Sequence, residues 1–216
     1  MTIKNTAVTM TIILSLITLG LGIGIYTSRQ KEAQIPPKVQ GMLWPASKKL
    51  LPFSMVDHRG ESFNLQKLEG QWSFMFFGYT NCPDICPITM TVFKQIYSKL
   101  QEGQQHTDVQ MIFVSVDPER DTTERLQDYI SYFNKEFVGL GGSIEQIQSL
   151  SGQLGITFFH EQATVTGDYL VAHNSSIILI DPHGHMVALL STPHQAEDIF
   201  TRFEKIRTFL NKQTNS

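Results

Sequence analysis

Ser73 to Tyr79 (SFMFFGY) is an uncharged run of aromatic and apolar residues without helical spacing. A continuous run of that length has the pattern of a strand covered on both faces, which places it at the centre of a sheet with a parallel neighbour. The next residues constrain the chain further. The turn Thr80-Asn81-Cys82-Pro83-Asp84-Ile85-Cys86-Pro87 leads into a stretch from Pro87 to Leu100 in which Ile88, Val92, Phe93, Ile96 and Leu100 recur at helical spacing, with a proline in the first turn. A buried strand therefore runs directly into a helix, and both cysteines of the chain lie at the junction.

The alternation continues. VQMIFVSV (Val109 to Val116) is a second buried strand, and Asp121-Thr122-Thr123-Glu124 starts a capped helix through Phe133. VGLGG predicts a short strand, Ile144 to Leu154 a helix, and ITFFHE, SSIILID and HMVALLS three more strands, the last two joined by the turn Asp181-Pro182-His183-Gly184. Thr192-Pro193 opens a closing helix with Ile199, Phe203, Ile206 and Leu210 on one stripe, and FSMVDHRGESFNL forms a hairpin around His58-Arg59-Gly60. This order describes an α/β domain with a mixed central sheet and helices on both faces, the plan of thioredoxin-like folds.

The N-terminus is different in kind. Ala7 to Tyr26 is uncharged throughout, and about 20 such residues can span the hydrocarbon of a bilayer. No Ala-x-Ala-like cleavage site follows, so the run is expected to be one uncleaved transmembrane helix. The expected organisation is an anchor over residues 1–27, a polar tether with a Pro36-Pro37 pair over 28–49, and one folded domain over 50–212. The start lacks the arginines of a mitochondrial transit peptide, and a bacterial inner membrane fits better. Charge alone would keep the domain in the cytoplasm, because Lys4 stands alone before the span while Arg29, Lys31 and Lys38 follow it.

Among 216 residues with a formal net charge of −3 there is no basic surface for nucleic acid, and two cysteines are too few for a disulfide scaffold. Their placement points to chemistry instead. A helix N-terminus stabilises thiolates, and i, i+4 spacing sets both sulfurs on one helix face, close enough for a shared metal or, with tightening, a disulfide. A dithiol oxidoreductase more usually has two residues between its cysteines, a peroxiredoxin needs an upstream Pro-x-x-x-Thr-x-x-Cys frame, and a structural zinc site needs a fourth ligand. Two thiolates with one imidazole suit copper, Cu(I) above all. Of seven histidines, His173 stands out, within DYLVAHNSSIILID immediately before a predicted strand. Asp84 reads as an exposed helix-start carboxylate, Met90 as a packing residue, and His183 and His185 as exposed turn residues.

GQWSFMFFGYTNCPDICP, IFVSVDPERDT and DYLVAH before IILIDPHG together resemble the Sco/SenC family in identity and order, over roughly residues 50–210. That resemblance implies a thioredoxin-like copper-binding domain on a membrane anchor, facing the periplasm. It implies Cys82, Cys86 and His173 as ligands of Cu(I) and Cu(II), and a Cys82–Cys86 redox disulfide. The implied function is a metallochaperone that helps to assemble the binuclear copper site of cytochrome c oxidase, with oxidase subunit II and a copper donor protein or thiol reductant as partners. The alternative is a membrane-tethered thiol-disulfide reductase acting on a partner's cysteines. Two positions depart from the common family pattern: Ala172 where Asp is frequent, and Asn174 where Ser or Thr is usual. Asp117-Pro118-Glu119-Arg120-Asp121 also matches the family, and its plain reading is a loop ending in a helix cap.

Overall fold

The computed structural model describes residues 13–24, 39, 41–45, 47–161 and 169–214. The chain divides into two units, residues 1–40 and 41–216. In the first, residues 13–24 are helical (α1) with exposed side chains. Among the described residues no helix is long and apolar enough to cross a membrane. Both ends of the anchor expected over Ala7 to Tyr26 lie outside the described residues, as does most of the tether.

The second unit is built on an eight-stranded mixed sheet. Its strands are β1 (Lys48–Lys49), β2 (Ser54–Asp57), β3 (Ser62–Asn64), β4 (Trp72–Gly78), β5 (Val109–Ser115), β6 (Val138–Gly141), β9 (Ile177–Ile180) and β10 (His185–Leu190), in the spatial order β1-β10-β9-β4-β5-β6-β2-β3. Strands β4, β5 and β6 are parallel, and the remaining pairs are antiparallel. The central position of β4 follows from its sequence. All seven of its residues are buried, and because successive side chains point to opposite faces, both faces must be covered. On one face Phe74 meets Phe93 of α2 (Ile85–Glu102) at 6.3 Å and Phe203 of α5 (Ala196–Thr214) at 5.0 Å between ring centroids, both edge to face. Each such ring contributes about 1.5–3 kcal/mol by leaving water.

The shorter helices are fixed by their caps. Thr122 accepts from Arg125 N at the start of α3 (Thr123–Phe133), and Ser143 with Gln146 forms a reciprocal capping box at the start of α4 (Ile144–Gln153). Three differences from the sequence expectations stand out. Strand β1 falls within the stretch expected as tether, where two exposed lysines pair with β10 through backbone alone, and Trp44 N already donates to Val187 O. Helix α5 begins at Ala196, beyond Thr192-Pro193, with Glu197 and Asp198 in the first turn where the helix dipole favours acids. And β7 (Phe158–His160) and β8 (Val171–His173) leave the main sheet to form a separate antiparallel ribbon.

A dithiol and an imidazole at one helix end

Strand β4 ends at Gly78 and α2 begins at Ile85, so the loop over residues 79–84 carries Cys82 and the first helical turn carries Cys86. Asp84, in the N-cap position, makes no side-chain capping bond, and it is exposed, as the sequence predicts. The amide groups of Asp84 and Cys86 hydrogen-bond the Cys82 sulfur instead. The open end of the helix thus serves a sulfur anion.

The ribbon supplies the third group. His173 precedes β9 as expected and is also the last residue of β8, and its Nε2 lies 3.7 Å from Cys86 Sγ. Nδ1 stands 3.1 Å from the Asn174 carbonyl, which can accept its proton, and Nε2 faces the sulfurs. The ring sits edge-on to Phe76 at 5.8 Å and to Tyr79 at 6.2 Å. Sγ of Cys82, Sγ of Cys86 and a ring nitrogen of His173 all lie within 4.8 Å of one another, and among the described residues they form the one group of three such ligands placed to hold a metal. With bonds of about 2.3 Å to sulfur and about 2.0 Å to nitrogen, the lengths zinc takes, a 3.7 Å sulfur–nitrogen separation corresponds to an angle of about 120° at a shared ion. Two soft sulfurs and one imidazole in a three-ligand set fit Cu(I) better than a closed four-ligand zinc site.

The two thiols are not equivalent. Cys86 is fully buried, whereas Cys82 is half-buried, and both are unbridged. The hydrogen bond from the Cys86 thiol, helped by His173 and the two amides and opposed by burial, holds the Cys82 thiol down at about 4. The same hydrogen bond and the burial push the Cys86 thiol well up.

The walls of the site come from groups that the sequence leaves unmarked. Asp121, read as part of a helix cap, does something else: its carboxylate accepts from Thr80 N at 3.1 Å, from Thr80 Oγ1 at 2.6 Å and from Ser115 Oγ at 2.6 Å, which ties the cysteine loop to the end of β5. Burial raises its pKa above the usual carboxylate range. Arg125 donates to Thr80 Oγ1 at 2.7 Å and to Asn81 Oδ1 on the outer side of the loop. Tyr129, packed on Phe113 at 5.2 Å, has a buried hydroxyl without a hydrogen-bond partner among the described residues. Met90 is buried, as packing requires. His183 is exposed in the β9–β10 turn as expected, whereas His185 is half-buried as the first residue of β10, with its Nδ1 3.3 Å from Asp181 Oδ1.

An α/β domain that offers one metal two cysteines from the end of its central strand and a histidine from a separate ribbon defines a thioredoxin-like metal-binding protein. The SCO1/SenC family profile matches residues 45–208, and the chain belongs to that family. It is 35% identical over 147 residues to the mitochondrial SCO2 homolog of Bos taurus, covering 68% of this chain and 55% of that one. The copper-bound ScoI of Arabidopsis thaliana superposes with a TM-score of 0.65 at 30% identity, over 72% of this chain and 98% of that one. Copper-bound yeast Sco1 does so with a TM-score of 0.67 at 28% identity, over 74% and 88%.

Proposed function

We propose that this protein binds one copper ion through Cys82, Cys86 and His173 and passes it to the binuclear copper site of cytochrome c oxidase subunit II. The observation that carries this reading is the convergence of two sulfurs and an imidazole within 4.8 Å at the open end of α2. Copper is bound in the ScoI and Sco1 structures that this domain resembles, and the Sco family is described as one of cytochrome c oxidase assembly proteins. Cys82 and Cys86 hold Cu(I) as a soft dithiolate, and His173 adds the harder nitrogen that Cu(II) requires. Ala7 to Tyr26 anchors the domain in a bacterial inner membrane with the site facing the periplasm. A copper donor protein or thiol reductant keeps the dithiol loaded or reduced.

The unequal thiols favour a second reading, reduction of a partner's disulfide. Cys82 as thiolate attacks one sulfur of the partner's disulfide and forms a mixed disulfide while the partner's other sulfur leaves as thiolate. Cys86 then gives up its proton, attacks Cys82 and expels the partner's first sulfur as a second thiolate, so that the Cys82–Cys86 disulfide forms and two electrons have passed to the partner. One experiment separates the two readings. In cells carrying His173→Ala at normal protein level under limiting copper, delivery requires oxidase copper content to fall, whereas reduction by the intact dithiol leaves it full. In the purified reduced protein, Cys82→Ala or Cys86→Ala abolishes tight copper binding if the site is as assigned, and unchanged copper content in either variant refutes it.

A further inference from the structure

His173 is carried by a ribbon of two three-residue strands that shares no pairing with the main sheet. Such a ribbon is marginal by itself and needs tertiary anchoring. Its anchor is the loop between β5 and α3. Asp117, fully buried, accepts from Tyr169 Oη at 2.7 Å, pairs with Arg120 Nε, and lies 3.8 Å from Nε2 of His160 on β7. Arg120 reaches across to donate from Nη1 to the Tyr169 carbonyl at 3.0 Å, and its guanidinium lies 3.6 Å from the centroid of the Tyr169 ring and 5.6 Å from that of Tyr79. Tyr79 closes the circuit: it hydrogen-bonds the backbone at Val171 of β8 and stands edge-on to the His173 ring.

We infer that Asp117, Arg120 and Tyr169 form a latch that positions His173 over the dithiol, and that they thereby set the preference of the site between Cu(II) and Cu(I). The inference rests on the copper reading above. The polar bonds that Asp117 and Arg120 send to the ribbon end on His160 of β7 and on Tyr169, two residues before β8, Arg120 also lies over the Tyr79 ring, and none of these contacts is made with either cysteine directly. Loosening it frees the imidazole and leaves the sulfurs in place. A ligand held in its bound position costs less order on binding than one that must be captured. Cu(II), which needs the nitrogen, therefore depends on the latch, and Cu(I), which two thiolates satisfy, does not. Arg120 is suited to the task by its planar fork, which bonds and stacks at once, as a lysine cannot.

The test uses the full chain with Tyr169→Phe, which removes one hydrogen bond and keeps the ring, and Arg120→Lys, which keeps the charge and loses the fork. Arg207→Gln, at the Asp108 ion pair, is the control for general destabilisation. In metal-free protein, amide exchange over 158–160 and 171–173 is expected to rise about tenfold in both latch variants, the scale of one hydrogen bond to a charged group, with β4 and β5 unchanged. Cu(II) affinity is expected to fall about tenfold while Cu(I) affinity stays within about threefold, with weakened nitrogen hyperfine structure in the Cu(II) spectrum. Unchanged ribbon exchange overturns the latch. Equal losses of Cu(I) and Cu(II), or a matching loss in Arg207→Gln, overturn its role in placing His173. If the wild type binds neither copper ion, it is the copper reading that fails, and ribbon exchange in the metal-free protein decides the latch alone.

Discussion

A Cβ placed on Gly78 would lie 2.8 Å from Sγ of Cys86, and 2.9 and 3.0 Å from ring carbons of Phe113 and Phe76. The buried thiol therefore rests against bare backbone at the last residue of β4, the one position of that strand where no side chain fits. Gly78→Ala is expected to lower stability by about 1–3 kcal/mol through overpacking and to push the sulfur out of register with His173. A melting curve and a Cu(I) competition titration check both effects; wild-type values in each would show that the sulfur has room to move.

Asp121 accepts from Thr80 N and Oγ1 of the cysteine loop and from Ser115 Oγ of β5, all donors on buried or half-buried residues. Removing it strands those donors, since no other acceptor is bonded to them among the described residues. Asp121→Ala is expected to cost about 3 kcal/mol in urea unfolding, and to weaken copper binding although no proposed ligand is touched. Loss of stability with intact copper affinity would mean that the loop keeps its shape without the carboxylate.

How much of this was legible in the sequence depended on the range of the interaction. Strand β4 announces itself as a continuous apolar run and helix α2 by its period, and the two cysteines share one turn, so the dithiol could be placed from spacing alone. Asp121 could not: its partner Thr80 is 41 residues away, and a carboxylate just before a helix looks locally like a cap, a task Thr122 performs. The ribbon was half legible: β7 lies within ITFFHE, expected as a strand, but Val171 to His173 are three residues, too few for a period to register, so β8 and its pairing with β7 were not. His173 was therefore placed by resemblance, and only the folded chain puts it at the end of a strand that faces the sulfurs.

His58 offers a stability test away from the site. It is buried, its Nδ1 accepts from Gly139 N at 3.1 Å, and burial holds its pKa below the ordinary imidazole value; burial does the same to His194. A group that stays neutral in the fold but takes a proton when unfolded contributes stability that is complete above the unfolded pKa, near 6.5, and is lost as pH falls below it. The melting temperature is expected to drop between about pH 7 and pH 5, and His58→Gln should flatten part of that slope while lowering the plateau. An unchanged slope would exclude His58 as a contributor.

The proposed topology sets family against charge. Lys4 precedes the apolar run, while Arg29, Lys31 and Lys38 follow it, which by charge would hold the domain inside. A periplasmic domain requires that a reporter fused after Gln213 be active only if it works outside the cytoplasm. Activity of a cytoplasmic reporter would reverse the orientation and remove the proposed encounter with subunit II.

The inequality of the two thiols is directly measurable. An ordinary thiol loses reactivity tenfold per pH unit below about 8.5, because only the thiolate attacks. Cys82, held at about 4 chiefly by the hydrogen bond from Cys86, remains ionised far below that. In reduced, metal-free protein its alkylation by iodoacetamide should therefore be almost flat from about pH 8 to pH 6 and reach half its plateau only near pH 4, while buried Cys86 stays unmodified until the chain unfolds. Cys86→Ala takes away the main donor, so the same profile should move to higher pH. Copper should suppress alkylation of Cys82 altogether, since the ion and the reagent compete for one lone pair. A wild-type midpoint between about 8 and 9, the range of an unperturbed thiol, would mean that the bond from Cys86 does not form, and with it would go the asymmetry that supports the reductase reading.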